Sequence, residues 1–156
     1  GLFTDRAVVS LLSGEPEYLD PLRDEAPEGW LVTGYPWYSI TTAEHNRFLA
    51  AYQKRWQEYP RLGSVVGYSS VMAIAAALKK AGSADTEALI KAFKGLEFES
   101  PFGKVLFRPQ DNQATMGGYV GLTTLNQGRG VMKNFRYVDG KTTQPSDAEV
   151  KKLRPE

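Results

Sequence analysis

Residues able to act as acid, base or nucleophile are present in this 156-residue chain, but few stand in a working arrangement. There is no cysteine, which removes thiol catalysis, thiolate zinc sites and disulfides and leaves the redox compartment open. His45 is the single histidine. A metal site built on it would have to borrow carboxylates, and only Glu44 is close by in sequence. His45 falls in the first turn of an expected helix, where it should be solvated. Gly67-Tyr68-Ser69-Ser70-Val71 echoes the G-x-S-x-G nucleophile elbow without its second glycine. The only base available to it, His45, precedes the serine, against the chain order of that arrangement. Gly128-x-Gly130 has neither a third glycine nor a following helix, and no G-x-x-x-x-G-K-[ST] occurs, so no nucleotide fingerprint stands.

What remains is a set of residues suited to holding a ligand rather than transforming it. "WLVTGYPWY", residues 30–38, puts two tryptophans and two tyrosines around Gly34 and Pro36. Trp30, Leu31 and Val32 have the bulky character of a short strand, and the glycine and proline end it, leaving Tyr35, Trp37 and Tyr38 on a loop. Aromatics just past the carboxyl end of a strand are where α/β folds place ligand contacts, although they could equally pack beneath the next helix. Glu15 and Glu17 flank Pro16 at the start of a short helix. Both suit the positive end of the helix dipole, and Glu15, nearer the strand end, is also a candidate for ligand contact.

The elements that must position these residues follow from local signals. "AVVSLL", residues 7–12, reads as a buried parallel strand; "SGEPEY" turns it into a short helix through about Ala26; "APEG" breaks that helix before the strand at residues 30–34. This βαβ spacing favours α/β layers. Thr41 and Glu44 have capping-box spacing for a helix running to about Tyr59, with Phe48, Tyr52, Trp56 and Tyr59 along one packing face. A second helix follows "RLGSVVGYSS", with Val71, Ile74, Ala75 and Leu78 marking its buried face and Gly82 its end. Asp85 or Ser83 caps a third, carrying Leu89, Ile90 and Phe93 and ending at Gly95. Beyond Ser100 come "GKVLF", "GYVGLTTL" and "GVMKNFRYV", three β segments separated by turns, and then a polar tail with room for a helix at residues 147–153.

Bulk properties exclude several partners. With 19 Lys and Arg against 18 Asp and Glu, spread throughout, there is no basic stripe for a phosphate backbone, and no nucleic-acid partner is expected. The longest apolar run, "VMAIAAAL", has eight residues, well short of the roughly 20 that cross a bilayer. The opening "GLFTDRAVVSLL" runs straight into a strand, which is expected of a fragment beginning in mid-domain.

Together, "EAPEGWLVTGYPW", "YPRLGSVVGYSSVMAIAAALKKAGS" and "DTEALIKAFKGLEFESPFGKVLFRPQDNQATMGGYVG" resemble the C-terminal portion of a type I periplasmic binding protein. More narrowly, the chain resembles the branched-chain amino acid, or leucine-binding, family of ABC-transporter substrate-binding proteins. The resemblance implies an α/β fragment of a two-lobe architecture in which the ligand lies in the cleft between lobes joined by three crossings. Residues 1–35 would belong to the C-terminal lobe, 36–122 to the N-terminal lobe, and 123–156 to the C-terminal lobe again, with the third crossing at residues 121–125. "TGYPWY" would then be a hinge beside the cleft, placing Tyr35 and Trp37 in the site. The loop after the first strand (Leu12, Ser13, Gly14, Glu15), the "RLGS" loop (Leu62, Gly63) and Tyr68 would also face ligand. Glu15 stands where the family often supplies an acid for an α-amino group. The implied function is non-enzymatic binding of an amino-acid-like solute, an aromatic carboxylate or an amide, without a cofactor. The implied partners are ABC permease subunits in the membrane and the missing N-terminal part of the same protein, and the implied location is periplasmic, or extracytoplasmic and membrane-associated. A ligand-sensing receptor domain of the same fold and, more remotely, a hydrolase are the alternatives.

Overall fold

A computed structural model describes Phe3 and residues 5–153. The first unit is the expected βαβ: strand β1 (Val9–Gly14), helix α1 (Pro16–Leu22) with a 3-10 turn at Arg23–Glu25, and strand β2 (Leu31–Gly34). β1 and β2 are parallel, with Val9 opposite Leu31. The chain then leaves the sheet for α2 (Ala43–Trp56), α3 (Leu62–Ala81) and α4 (Thr86–Phe93), followed by a hairpin of β3 (Glu97–Ser100) and β4 (Gly103–Leu106). It returns as β5 (Gly118–Asn126), antiparallel to β2, and β6 (Arg129–Val138). The main sheet therefore runs β1-β2-β5-β6. The tail forms α5 (Asp147–Leu153), as its composition predicts.

Local chemistry accounts for most boundaries. Asp85 accepts a hydrogen bond from Ala88 N–H and caps α4. Gly82 ends α3 at φ 63°, a left-handed conformation that a side chain disfavours. Gln127 and Gly128, both at positive φ, make the two-residue turn between β5 and β6, the backbone twist that tight hairpins select.

Several expectations need correction. β1 is an edge strand, not a buried one: Val9, Leu11 and Leu12 are exposed because only β2 pairs with it among the described residues. The cap of α2 is Thr42, not Thr41; its hydroxyl accepts from His45 N–H. That helix ends at Trp56, where Gln57 turns left-handed at φ 59°. The aromatic stripe is thereby divided: Phe48 is in the core, Trp56 is exposed and Tyr59 lies beyond the helix. His45 is not solvated but has no accessible surface. In α3 the packed face is Val65, Ser69, Ala73 and Ala77, while Val71, Ile74, Ala75 and Leu78 face outward. Small residues let α3 lie close against α4 and β3, and that close packing takes the face which bulk alone would not select. Strand β3 was not expected; "EFES" is too short and too charged to announce itself.

One apolar core joins sheet and helices: Val32, Tyr119 and Met132 from the strands meet Tyr35, Ile40, Phe48, Val65 and Phe102. Of the described helices, α3 is long and apolar enough to cross a membrane, yet Val65 fixes it into this shared core.

Candidate ligand-binding site

The loop after β1 is shaped by two glycines. Gly14 and Gly34 are opposed in the β1-β2 register, and a Cβ on Gly14 would stand 2.5 Å from the Thr33 carbonyl oxygen. The strand ends close together only because neither carries a side chain. Glu15 follows in extended conformation as the residue before α1, with Pro16 opening the helix. Its side chain is turned inward: Glu15 is 5% exposed, and Oε2 has no hydrogen-bond partner among the described residues. Burial, with a smaller contribution from the charge of Glu17, pushes its carboxyl up to about 8.

Glu17 points the other way, and its Oε1 accepts from Gly63 N–H at 3.2 Å, at the start of α3. One turn on, Asp20 stands 3.6 Å from Arg61 Nε. The Tyr59 phenol is raised first by burial and then by its hydrogen bond to Asp20. Trp37 stacks on Tyr59 at 4.4 Å and 12° and meets Tyr38 edge-on, while Tyr38 is itself anchored on Met132 N–H at 2.7 Å. A cavity of about 60 Å³ lies beneath this wall, bordered by Gly14, Pro16, Tyr35, Trp37, Tyr59 and Arg129.

Tyr35 closes the inner side. It is 1% exposed, its hydroxyl is 2.6 Å from His45 Nε2, and burial raises its phenol. Burial also lowers His45, with the Ile40 backbone acting in the opposite sense, so the pair is a neutral hydrogen bond within the core.

The structure distributes the expected site residues unevenly. Gly14, Tyr35 and Trp37 border one cavity, with Glu15 between Gly14 and Pro16. Gly63 is brought to α1 through Glu17, and Leu62 packs against the core. Ser13 Oγ is 2.6 Å from Ser10 Oγ, and Leu12 projects from the sheet edge, 54% exposed. Tyr68 is 43% exposed, with its ring against Phe48 on α2. Sequence reasoning included Arg61 in the "RLGS" loop but did not single out Asp20, Tyr59 or Arg129, and took Glu17 mainly as a helix-start acid. The i, i+3 spacing of Glu17 and Asp20, which puts both carboxylates on one face of α1, was a readable signal.

The fold has counterparts among known proteins. A periplasmic binding protein family matches residues 1–128, and none of the curated proteins matches the chain. A solved ABC-type branched-chain amino acid transporter protein from Rhodopseudomonas palustris is 27% identical, with a TM-score of 0.72 over 86% of this chain and 36% of its own. A solute binding protein of an ABC transporter from the same organism, solved with 3,4-dihydroxybenzoic acid, is 26% identical, with a TM-score of 0.68 over 86% of this chain and 37% of its own. A leucine-, isoleucine-, valine-, threonine- and alanine-binding protein from Brucella ovis, in a closed conformation, is 17% identical but shares the fold at a TM-score of 0.75, over 94% of this chain and 40% of its own. The chain thus spans between 36% and 40% of the length of these relatives. Its fold is that of type I periplasmic binding proteins, and the chain belongs to the periplasmic binding protein family.

Proposed function

We propose that this chain is the C-terminal portion of an extracytoplasmic solute-binding protein that delivers a small ligand to the permease of an ABC importer. The ligand is an amino-acid-like molecule or an aromatic carboxylate or amide, held between two lobes. The observation that carries this reading is the meeting of the first turn of α1 with the start of α3, at Glu17 and Gly63, beside the Trp37-Tyr59 wall. Few polar groups against an aromatic wall is the usual composition of a small-molecule site. The relatives at 27% and 26% identity, one described as a branched-chain amino acid transporter and one solved with a dihydroxybenzoic acid, support both ligand classes.

In this reading residues 1–35 and the final strand belong to one lobe and the helical segment to the other. Because β5 pairs with β2 from Tyr119, we place the third crossing just before that residue rather than at residues 121–125. The test is a thermal-shift screen of the full-length protein against leucine, 3,4-dihydroxybenzoate and benzamide. A ligand at 100 times its Kd stabilises the folded state by about 2.7 kcal/mol, so at least one class should raise the midpoint by several degrees. An unchanged midpoint across the whole panel overturns the reading.

Trp37→Ala in the same protein should weaken ligand binding by about 1–3 kcal/mol, the scale of one large apolar side chain, while folding stays cooperative. Isothermal titration together with a melting curve checks this. Lost cooperativity with unchanged affinity would make Trp37 a core residue.

A further inference from the structure

α3 begins on an arginine. Arg61 occupies the position before the first helical residue, and its side chain makes no capping hydrogen bond to the helix; a guanidinium has donors only, so it cannot accept from the free N–H groups of the first turn. A serine, threonine or aspartate normally fills this role from within the chain. Here the acceptor comes from α1: the Glu17 carboxylate takes the Gly63 N–H from 46 positions away. It also lies at the positive end of a 20-residue helix, where a negative charge is favoured.

The second contact uses the arginine that cannot cap. Asp20, three positions after Glu17 and on the same side of α1, stands 3.6 Å from Arg61 Nε and bonds to the Tyr59 hydroxyl. Arg61 in turn lies over the Tyr59 ring at 5.7 Å, and that ring stacks on Trp37. Two carboxylates on one helix thus grip the start of another, with an aromatic stack behind them. These partners belong to the two lobes of the proposed function, on which this inference rests.

We infer that Glu17 and Asp20 form a clasp on the N-terminal turn of α3 that, beside the shared apolar core, holds α1 against α3 at the rim of the two lobes in the absence of solute. The clasp is ionic and partly open to solvent: the Asp20 and Arg61 side chains are 31% and 40% exposed. It is therefore sensitive to ionic strength and able to release when solute enters or leaves. Glu17 and Asp20 are positioning residues, setting how much of the protein is already closed before a ligand arrives.

The absence of cysteine from the chain permits a ligand-free test. Asp24→Cys, beside α1, and Lys54→Cys, on α2, are exposed positions for spin labels in the full-length protein with any other cysteine replaced. The distance distribution is measured without solute in the otherwise unchanged protein, in Glu17→Gln/Asp20→Asn, and in 1 M salt, where the screening length falls to about 3 Å. The clasp predicts one narrow distance in the first case. In the other two the population at longer distances should grow about threefold or more, the scale of losing one or two exposed charge contacts. An unchanged distribution under both perturbations overturns the clasp. So does a lower unfolding temperature with an unchanged distribution, which would make Glu17 an ordinary helix cap. Should the double variant fail to fold, the salt arm still decides. No solute is used, so failure of the ligand screen and failure of the clasp are read separately.

Discussion

Replacing Glu15 with glutamine should remove a fall in stability that the parent protein undergoes between about pH 4.5 and 8. The carboxyl has an ordinary value of 4.5 and is raised to about 8 in the fold, first by burial and then by the charge of Glu17. Folding therefore takes up a proton in that interval, because the folded state holds it where the unfolded chain has released it. The sign follows: the stabilising contribution is complete below the unfolded value and is lost as pH rises through the folded value. One pKa unit corresponds to about 1.4 kcal/mol, and water reaching the ionised form recovers part of the cost, so the expected loss is about 2–3 kcal/mol. Glutamine keeps the shape and carries no charge to desolvate. Urea unfolding of parent and variant at pH 5.5 and 8.5, at one protein concentration, should show the parent losing stability relative to the variant. His45, lowered by burial, titrates in both proteins and cancels in the difference. Equal changes in parent and variant would show that Glu15 is ionised and solvated.

The second large effect concerns the 156-residue chain studied alone. Val71, Ile74 and Leu78 form an exposed apolar strip on α3, and Val9, Leu11 and Leu12 stand exposed on the edge strand β1. Contiguous apolar surface and an unpaired strand edge both drive association. The chain should therefore be self-associated, or bound to a complementary fragment, when examined by light scattering. Its ligand affinity should fall as well, since the proposed two-lobe site would use contacts from both sides on closure. If the longer protein binds its solute at a micromolar constant, that is worth about −8 kcal/mol after an association cost of about 4 or more, so gross contacts would be at least about 12. A chain supplying half keeps about 6 and still meets most of the cost, which leaves millimolar affinity or weaker. Calorimetry with micromolar 3,4-dihydroxybenzoate or leucine should show no heat of binding. A monodisperse monomer that binds either at micromolar concentration would refute both the exposed-surface argument and the two-lobe site.

Short-range signals in the sequence were enough to place most elements. The βαβ start, the Asp85 cap, the left-handed stop at Gly82, the Gln127-Gly128 hairpin and the terminal helix all depend on residues a few positions apart, and such interactions operate wherever the chain goes. The family resemblance was legible for the same reason, being carried by contiguous motifs. Tertiary structure decided which surfaces those elements bury. α3 is small or apolar on every side, so periodicity could not choose between the Val65-Ala73 face and the Val71-Leu78 face; contact with α4 and β3 made the choice. His45 looked solvated because a first-turn histidine usually is, and Tyr35, whose hydroxyl meets its ring from the loop after β2, put it in the core. The meeting of Glu17 with Gly63 could not be read locally, because an arginine at a helix start leaves a donor unsatisfied without saying which distant carboxylate will satisfy it.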